Sequence, residues 1–98
     1  MTSKHRAALR ARANELRTII QVGKQDIGEN LIVQVNGALE TRELIKLRVL
    51  ENSGLTAREA AAEIAMATHS EVIQVIGTRF VLYRESRTLP ADKRICLE

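Results

Sequence analysis

The sequence predicts an α/β (α+β) fold in two layers, a four-stranded mixed sheet packed against three helices in the order α-β-α-β-α-β-β. Three observations predict it: a helix-forming opening, short apolar runs that alternate with segments of helical periodicity, and a glycine-led hairpin signal near the end. Strands separated by helices favour parallel pairing through crossovers, and the hairpin adds an antiparallel strand.

The length and composition predict one globular domain. The chain has 98 residues, of which 45% are hydrophobic and 28% charged, enough for one modest core. We expect the domain to span residues 1–86. Residues 87–98 form a polar tail with the only proline, in which "RICL" has the composition of one further short strand.

The cellular setting follows from cysteine usage and hydropathy. Cys96 is the only cysteine, so no internal disulfide can form, and no run approaches 18 apolar residues. These features predict a cytoplasmic protein with no membrane segment, and we expect a monomer.

The opening segment "SKHRAALRARANELR", residues 3–17, predicts the first helix, with Ser3 as its N-cap. At about 100° per residue, Arg6, Arg10 and Arg17 fall within about 40° of one another. Three guanidinium groups would then share one edge of the helix.

The next segment, "RTIIQVG", predicts a short strand that is closed by Gly23, with Lys24 in the following loop. Apolar residues then recur at steps of four, which is typical of an amphipathic helix: Ile27, Leu31, Val35 and Leu39. Asp26 stands three residues before Glu29, and this spacing predicts that Asp26 caps the helix. Gly37 lies inside the same helix and weakens it.

The segment "ELIKLRVL", residues 43–50, predicts a strand with two different faces. Ile45, Leu47 and Val49 alternate with Lys46 and Arg48. One face is expected in the core and the other is basic.

The second half of the chain predicts a third helix and a hairpin. Thr56 and Glu59 form a capping box before an alanine-rich segment. Gly77 and Thr78 separate two strand-like runs, with glycine first as a type II′ turn requires. Arg79 and Arg84 flank the last strand.

The sequence offers no arrangement typical of an enzyme. His5 and His69 are far apart and match no metal-ligand spacing, and the carboxylates mostly stand beside arginines on helices. We therefore expect no catalytic residues, no metal, no cofactor and no small-molecule substrate.

The basic residues form a stronger candidate for a functional site, namely a binding surface. Net charge is +3 and the pI is about 9.5. The pattern is equally consistent with nucleic-acid binding and with a protein-interaction surface. Only Phe80 and Tyr83 are aromatic, so an RNA partner would be held mainly by its backbone.

Several segments together resemble the CRM domain, the chloroplast RNA splicing and ribosome maturation domain, in the single-domain bacterial form of the YhbY-like proteins. The resemblance spans nearly the whole chain and rests on "KHRAALRARANEL", "IIQVGK", "ALETRELIKLRVL" and "VIQVIGTRFVLYR". It implies a fold similar to the C-terminal domain of translation initiation factor 3, no catalytic activity, and binding to RNA.

The resemblance further implies a role in large ribosomal subunit assembly through binding to ribosomal RNA and pre-large-subunit particles. The expected RNA-binding residues are Arg6, Arg10, Arg17, Gly23, Lys24, Lys46, Arg48, Arg79 and Arg84. The alternative is a protein adaptor whose basic face docks an acidic ribosomal protein or assembly factor.

The chain departs from the family pattern in the loop after the first strand. That loop usually runs G-x-x-G and ends with a helix-capping threonine. Here Gly23 and Lys24 match, Asp26 replaces the second glycine, and Gly28 stands in place of the threonine. We therefore expect more of the binding to come from the helix and the sheet.

Overall fold

The computed structural model describes residues 1–23 and 27–96, and its element order confirms the predicted one. Short 3-10 turns occupy Glu51–Ser53 and Ala91–Lys93. The helices and strands are α1 (Ser3–Ala13), β1 (Thr18–Val22), α2 (Glu29–Arg42), β2 (Leu44–Val49), α3 (Ala57–Thr68), β3 (Glu71–Ile76) and β4 (Arg79–Tyr83).

The four strands form one mixed sheet in the order β1-β2-β4-β3. β1 and β2 are parallel and joined through α2, whereas β4 pairs antiparallel with both β2 and β3. In the β3–β4 hairpin Gly77 has a φ of 59°, while Thr78 is not among the residues with positive φ. This pattern agrees with the predicted type II′ turn, in which only the first turn residue needs positive φ.

The main core lies between the sheet and the α2/α3 pair, on the side that we call the inner face. Ile45, Leu47 and Val49 point into it from β2, as their alternation predicts, and Phe80 and Leu82 do so from β4. Val35 and Leu39 of α2 and Ile64 of α3 close the layer. The helical periodicity is confirmed for Leu31, Val35 and Leu39, whereas Ile27 precedes α2. The two-faced character of β2 is also confirmed.

A smaller core lies on the opposite side of the sheet, which we call the outer face. Leu9 and Ala13 of α1 pack there against Leu44, Val81 and Tyr83. Helices therefore cover both faces, which the two-layer prediction did not include. The outer layer consists of α1 alone, and much of the outer face stays uncovered by helix.

The boundaries of α1 differ from the predicted ones. Thr2, not Ser3, is the N-cap, and its hydroxyl accepts a hydrogen bond from the His5 amide at 3.1 Å. The helix ends at Ala13, so Arg17 lies beyond it and shares no helical edge with Arg6 and Arg10. The chain must turn after Ala13 to enter β1, and this tertiary requirement outweighs the helix propensity of the residues that follow.

The capping predictions gave two different outcomes. α3 carries the predicted capping box: the Glu59 amide donates to the Thr56 hydroxyl at 3.1 Å, and the Thr56 amide donates to the Glu59 carboxylate at 3.0 Å. α2 begins only at Glu29, with Gly28 as N-cap, so the capping box predicted for it is wrong. Asp26 itself lies outside the described residues.

The tail folds back onto the domain. Its described part forms a 3-10 turn at Ala91–Lys93, and the residues of "RICL" up to Cys96 belong to no strand; Leu97 lies outside the described residues. The fully buried side chain of Glu43 accepts hydrogen bonds from the Ser86 and Ile95 amides, both at 2.6 Å. Ile95 also packs against the smaller core.

In residues 1–23 and 27–96 no helix is both long and apolar enough to cross a membrane.

Candidate nucleic-acid interface

The uncovered part of the outer face carries a row of side chains that crosses all four strands. In the sheet register Arg48 of β2 lies opposite Arg79 of β4, Gln21 of β1 lies beside Arg48, and Ile76 of β3 lies opposite Arg79. Directly paired residues point to the same side of a sheet. Arg48 and Arg79 alternate with buried Leu47 and Phe80, so the row faces outward.

A second row lies one step along the strands toward α1. Lys46 of β2 lies opposite Val81 of β4, and Val81 lies opposite Gln74 of β3. Lys46 and Gln74 are half-buried, and Val81 is buried between them. Lys46, Arg48 and Arg79 together form what we call the basic sheet face.

Arg17 joins the basic sheet face from the segment between α1 and β1. It lines a groove of about 350 Å³ together with Lys46, Arg42 and Glu15. Arg42, the last residue of α2, was missed by the sequence reasoning, because nothing local indicates that a helix end reaches the outer face. Three cations and one carboxylate therefore surround this groove.

The cations of this surface have no acidic partners within the described part of the chain, since no ion pair there involves Arg10, Arg17, Lys46, Arg48 or Arg79. Arg48 and Arg79 lie directly opposite each other on neighbouring strands. Like charges in that position destabilise a sheet. Opposed cations that destabilise the sheet and form no ion pair with a described residue are suited to binding an external anion.

Two predicted arginines are engaged inside the protein. Arg6 donates to the Glu71 carboxylate and to the Val72 carbonyl, both at 2.8 Å, which holds α1 against β3. Arg84 donates to Asn36 Oδ1 at 2.7 Å and to the Thr68 carbonyl at 2.6 Å. These partners place Arg84 against α2 and α3, away from the basic sheet face.

Arg84 also forms an ion pair with Glu40 at 3.1 Å, in a polar cleft of about 660 Å³. Burial acts to raise the pKa of the Glu40 carboxyl, but hydrogen bonds from the Arg87 amide and the Thr88 hydroxyl, together with Arg84, outweigh it and lower that pKa. Glu40 thereby joins α2, the end of β4 and the tail, so the groups of this cleft have structural roles.

Arg10, Gly23 and Lys24 complete the predicted set. Arg10 is exposed on α1, one turn after Arg6. Gly23 follows β1 at the end of the sheet where Arg48 and Arg79 lie; a Cβ there would meet Leu50 Cδ1 at 3.7 Å, an ordinary contact. Lys24 lies outside the described residues.

Across the described residues, no group of His, Cys, Asp or Glu side chains is placed to hold a metal ion.

Residues 1–84 match the model of the CRS1/YhbY (CRM) domain family. The chain belongs to the CRM domain family. This confirms the resemblance that the sequence motifs indicated. The matched region ends just after β4, so the tail that Glu43 holds lies outside it.

Relatives of this CRM domain carry RNA-binding names. The chain is 40% identical over 87 residues to "Probable RNA-binding protein YqeI" of Bacillus subtilis, which covers 89% of this chain and 91% of that protein. It is 35% identical over 86 residues to "Probable RNA-binding protein MJ0652" of Methanocaldococcus jannaschii, and the match covers 86% of this chain and 63% of that protein. The family and these names point to an RNA-binding protein and not to an enzyme.

A solved structure has the same fold. The solution structure of the hypothetical protein SAV1595 from Staphylococcus aureus superposes with a TM-score of 0.71 at 41% identity, covering 89% of this chain and 91% of that one.

Proposed function

We propose that this CRM domain binds structured ribosomal RNA through backbone and shape contacts and assists assembly of the large ribosomal subunit in the cytoplasm. The observation that carries the proposal is the directly opposed Arg48–Arg79 pair on an uncovered sheet face, with Lys46 one step away and no ion pair to any of the three within residues 1–23 and 27–96. Guanidinium groups bind phosphate in bidentate fashion. A phosphate chain would relieve the repulsion between the two arginines.

The burial of the aromatic side chains supports backbone contacts. Phe80 is 1% exposed and Tyr83 is 7% exposed, and the sequence contains no other aromatic residue. A platform on which bases stack along exposed rings is therefore not available. Cations on a sheet face and on the segment after α1 fit a binding mode that follows phosphates and the shape of a folded RNA.

The basic sheet face would hold the RNA, with Arg17 extending it from the segment after α1. Arg10 and Lys24 would add further contacts to RNA phosphates, and Gly23 would allow the turn that leads into the loop with Lys24. Arg6 and Arg84 are left with structural roles, because their guanidinium groups already donate to internal acceptors.

The test is the salt dependence of binding to a fragment of large-subunit ribosomal RNA. Each phosphate contact contributes roughly 0.7 to 0.9 to the slope of log affinity against log salt. A variant with alanine at Lys46, Arg48 and Arg79 should therefore lose roughly 2 to 3 from that slope. Arg58→Ala is a matched control: Arg58 is exposed on α3, on the opposite side of the sheet.

An unchanged slope in the triple variant would refute the assignment of these residues, and wild-type binding that does not depend on salt would refute phosphate recognition altogether. In cells, crosslinking followed by sequencing of the attached RNA should recover large-subunit ribosomal RNA. Partners that survive ribonuclease in a pull-down would instead support the protein-adaptor alternative.

A further inference from the structure

A shallow groove lies on the outer face between the end of α1 and the β3–β4 hairpin. Its volume is about 180 Å³, and its lining includes Asn14, Lys46, Gln74, Ile76, Arg79 and Val81. That volume equals about six water molecules at ~30 Å³ each. It is well below the ~300–1,000 Å³ of pockets for larger ligands, and it suits one flat heterocycle.

The lining has two chemical parts. Val81 is buried at the base, and Ile76, which is 62% exposed, forms an apolar wall. Gln74 and Asn14 each bring a side-chain amide, and in the described chain neither amide has a hydrogen-bond partner from another residue. An amide offers a donor and an acceptor together, which is the pattern that pairs with a base edge.

A β-bulge in β3 produces this lining. Val72 lies opposite Leu82 but Gln74 lies opposite Val81, so Ile73 is the extra residue. Ile73 already points outward into the smaller core, and the bulge lets Gln74 point outward as well. Without it, strict alternation would turn Gln74 toward the inner face and Ile76 with it. Bulges commonly re-aim a side chain at functional sites.

From these observations we infer that the groove binds one unpaired nucleobase of the RNA, with the amides of Gln74 and Asn14 on the base edge and Ile76 against the base face. Lys46 and Arg79 belong both to the groove and to the basic sheet face, so the phosphates beside that nucleotide meet the same surface. The inference rests on the proposed RNA binding and adds to it a preference for RNA with an unpaired segment.

The experiment compares two labelled RNAs by fluorescence anisotropy at one salt concentration: a hairpin with an unpaired adenosine loop, and the same stem as a blunt duplex. Adenosine is used because an amide pairs in bidentate fashion with the adenine edge. Wild-type protein should bind the hairpin more tightly. Gln74→Leu should weaken hairpin binding by about five-fold or more, since one such pairing discriminates by about 1 kcal/mol or more. Its binding to the duplex should not change.

The matched control is Gln34→Leu, the same change at an exposed position of α2 on the inner side of the sheet, which should alter neither affinity. Asn14→Ala, at an exposed position, repeats the comparison if Gln74→Leu does not fold. Equal wild-type affinities for the two RNAs, or equal losses on both RNAs in the Gln74 and Asn14 variants, would overturn the base site and leave the proposed function standing. Failure of the wild-type protein to bind either RNA would overturn both.

Discussion

Glu43 and Glu40 both hold the tail, and the replacement of Glu43 gives a specific prediction. Glu43 is fully buried at the end of α2, with a φ of 64°, a conformation that usually selects glycine. Its two carboxyl oxygens accept from the Ser86 and Ile95 amides at 2.6 Å each. Both oxygens of the side chain are therefore used as hydrogen-bond acceptors. The side chain at this strained backbone position therefore has a structural role.

The expected loss for Glu43→Gln follows from these two bonds. Glutamine has almost the same shape, but one oxygen becomes an NH₂ group that faces a backbone N–H. A hydrogen bond to a charged group contributes about 1.5–3 kcal/mol, and relief from burying a charge offsets part of its loss. We expect the free energy of unfolding to fall by about 2 kcal/mol, which for a domain of this size lowers Tm by roughly 8–16 °C.

Two further measurements show whether the loss of stability in Glu43→Gln arises where the tail is attached. Hydrogen exchange should accelerate at the Ser86 and Ile95 amides more than in the central strands, because the bonds that protect them are the ones removed. Tyr83 is the only tyrosine, so ultraviolet titration reads it directly. Burial raises the pKa of the Tyr83 hydroxyl, and the negative charges of Glu43 and Glu85 raise it further. Removing the Glu43 charge should lower the Tyr83 pKa.

The matched control is Glu63→Gln, an exposed position on α3, which should leave unfolding, exchange and the Tyr83 titration unchanged. Glu43→Gln with wild-type stability and unchanged exchange at Ser86 and Ile95 would show that the carboxylate does not hold the tail. A Tyr83 pKa that stays the same would show that Glu43 does not contribute to raising it.

Three further changes have defined outcomes in urea unfolding. Gly37→Ala should stabilise the protein by roughly 0.5–1 kcal/mol, because Gly37 is exposed in α2 and an added Cβ meets nothing within 4 Å; lower stability would contradict this. Thr56→Ala should cost about 1 kcal/mol through the lost cap. Hydrogen bonds from the Thr56 amide and hydroxyl hold the Glu59 pKa below its usual 4.5, so the stability that the capping box contributes is complete above about pH 4.5 and is lost as pH falls. Thr56→Ala should therefore reduce the loss of stability on acidification. An unchanged pH profile would show that the capping box does not cause that loss. Arg84→Met should lower the free energy of unfolding by roughly 2–3 kcal/mol, because the internal hydrogen bonds of the guanidinium group are lost. The salt dependence of RNA binding should stay at the wild-type value; a smaller slope would show that Arg84 contacts RNA phosphates.

The sequence predicted the sheet well because its signals are local. The alternation of Ile45, Leu47 and Val49 with Lys46 and Arg48 has only one register that buries the apolar set, and a one-residue shift would expose it. The glycine-first turn fixed the hairpin in the same way. Two of the cations on the basic sheet face could therefore be assigned to the outer side from the alternation alone.

The misplaced residues have non-local causes. Arg17 fell outside α1 because the helix stops where the chain must enter β1, and no glycine or proline marks that point. In the sequence, Arg6 and Arg84 resemble ordinary surface cations. Their hydrogen-bond acceptors, however, are more than 40 residues away along the chain: Glu71 for Arg6 and Asn36 for Arg84. Arg42 reached the groove beside Lys46 only through the packing of α2.

The groove at Gln74 shows most clearly where sequence reasoning stops. The run "EVIQVI" contains apolar residues in both alternation frames, so it fits a regular strand in either frame and gives no sign of a bulge. The structure satisfies both frames: Val72 and Val75 pack against the inner core, and Ile73 packs in the outer one. The two helical layers impose this, because each side of the sheet has its own core to fill. The bulge that reconciles them leaves Gln74 and Ile76 facing outward beside Arg79. A requirement of packing on both faces thus produces the polar and apolar lining of the groove.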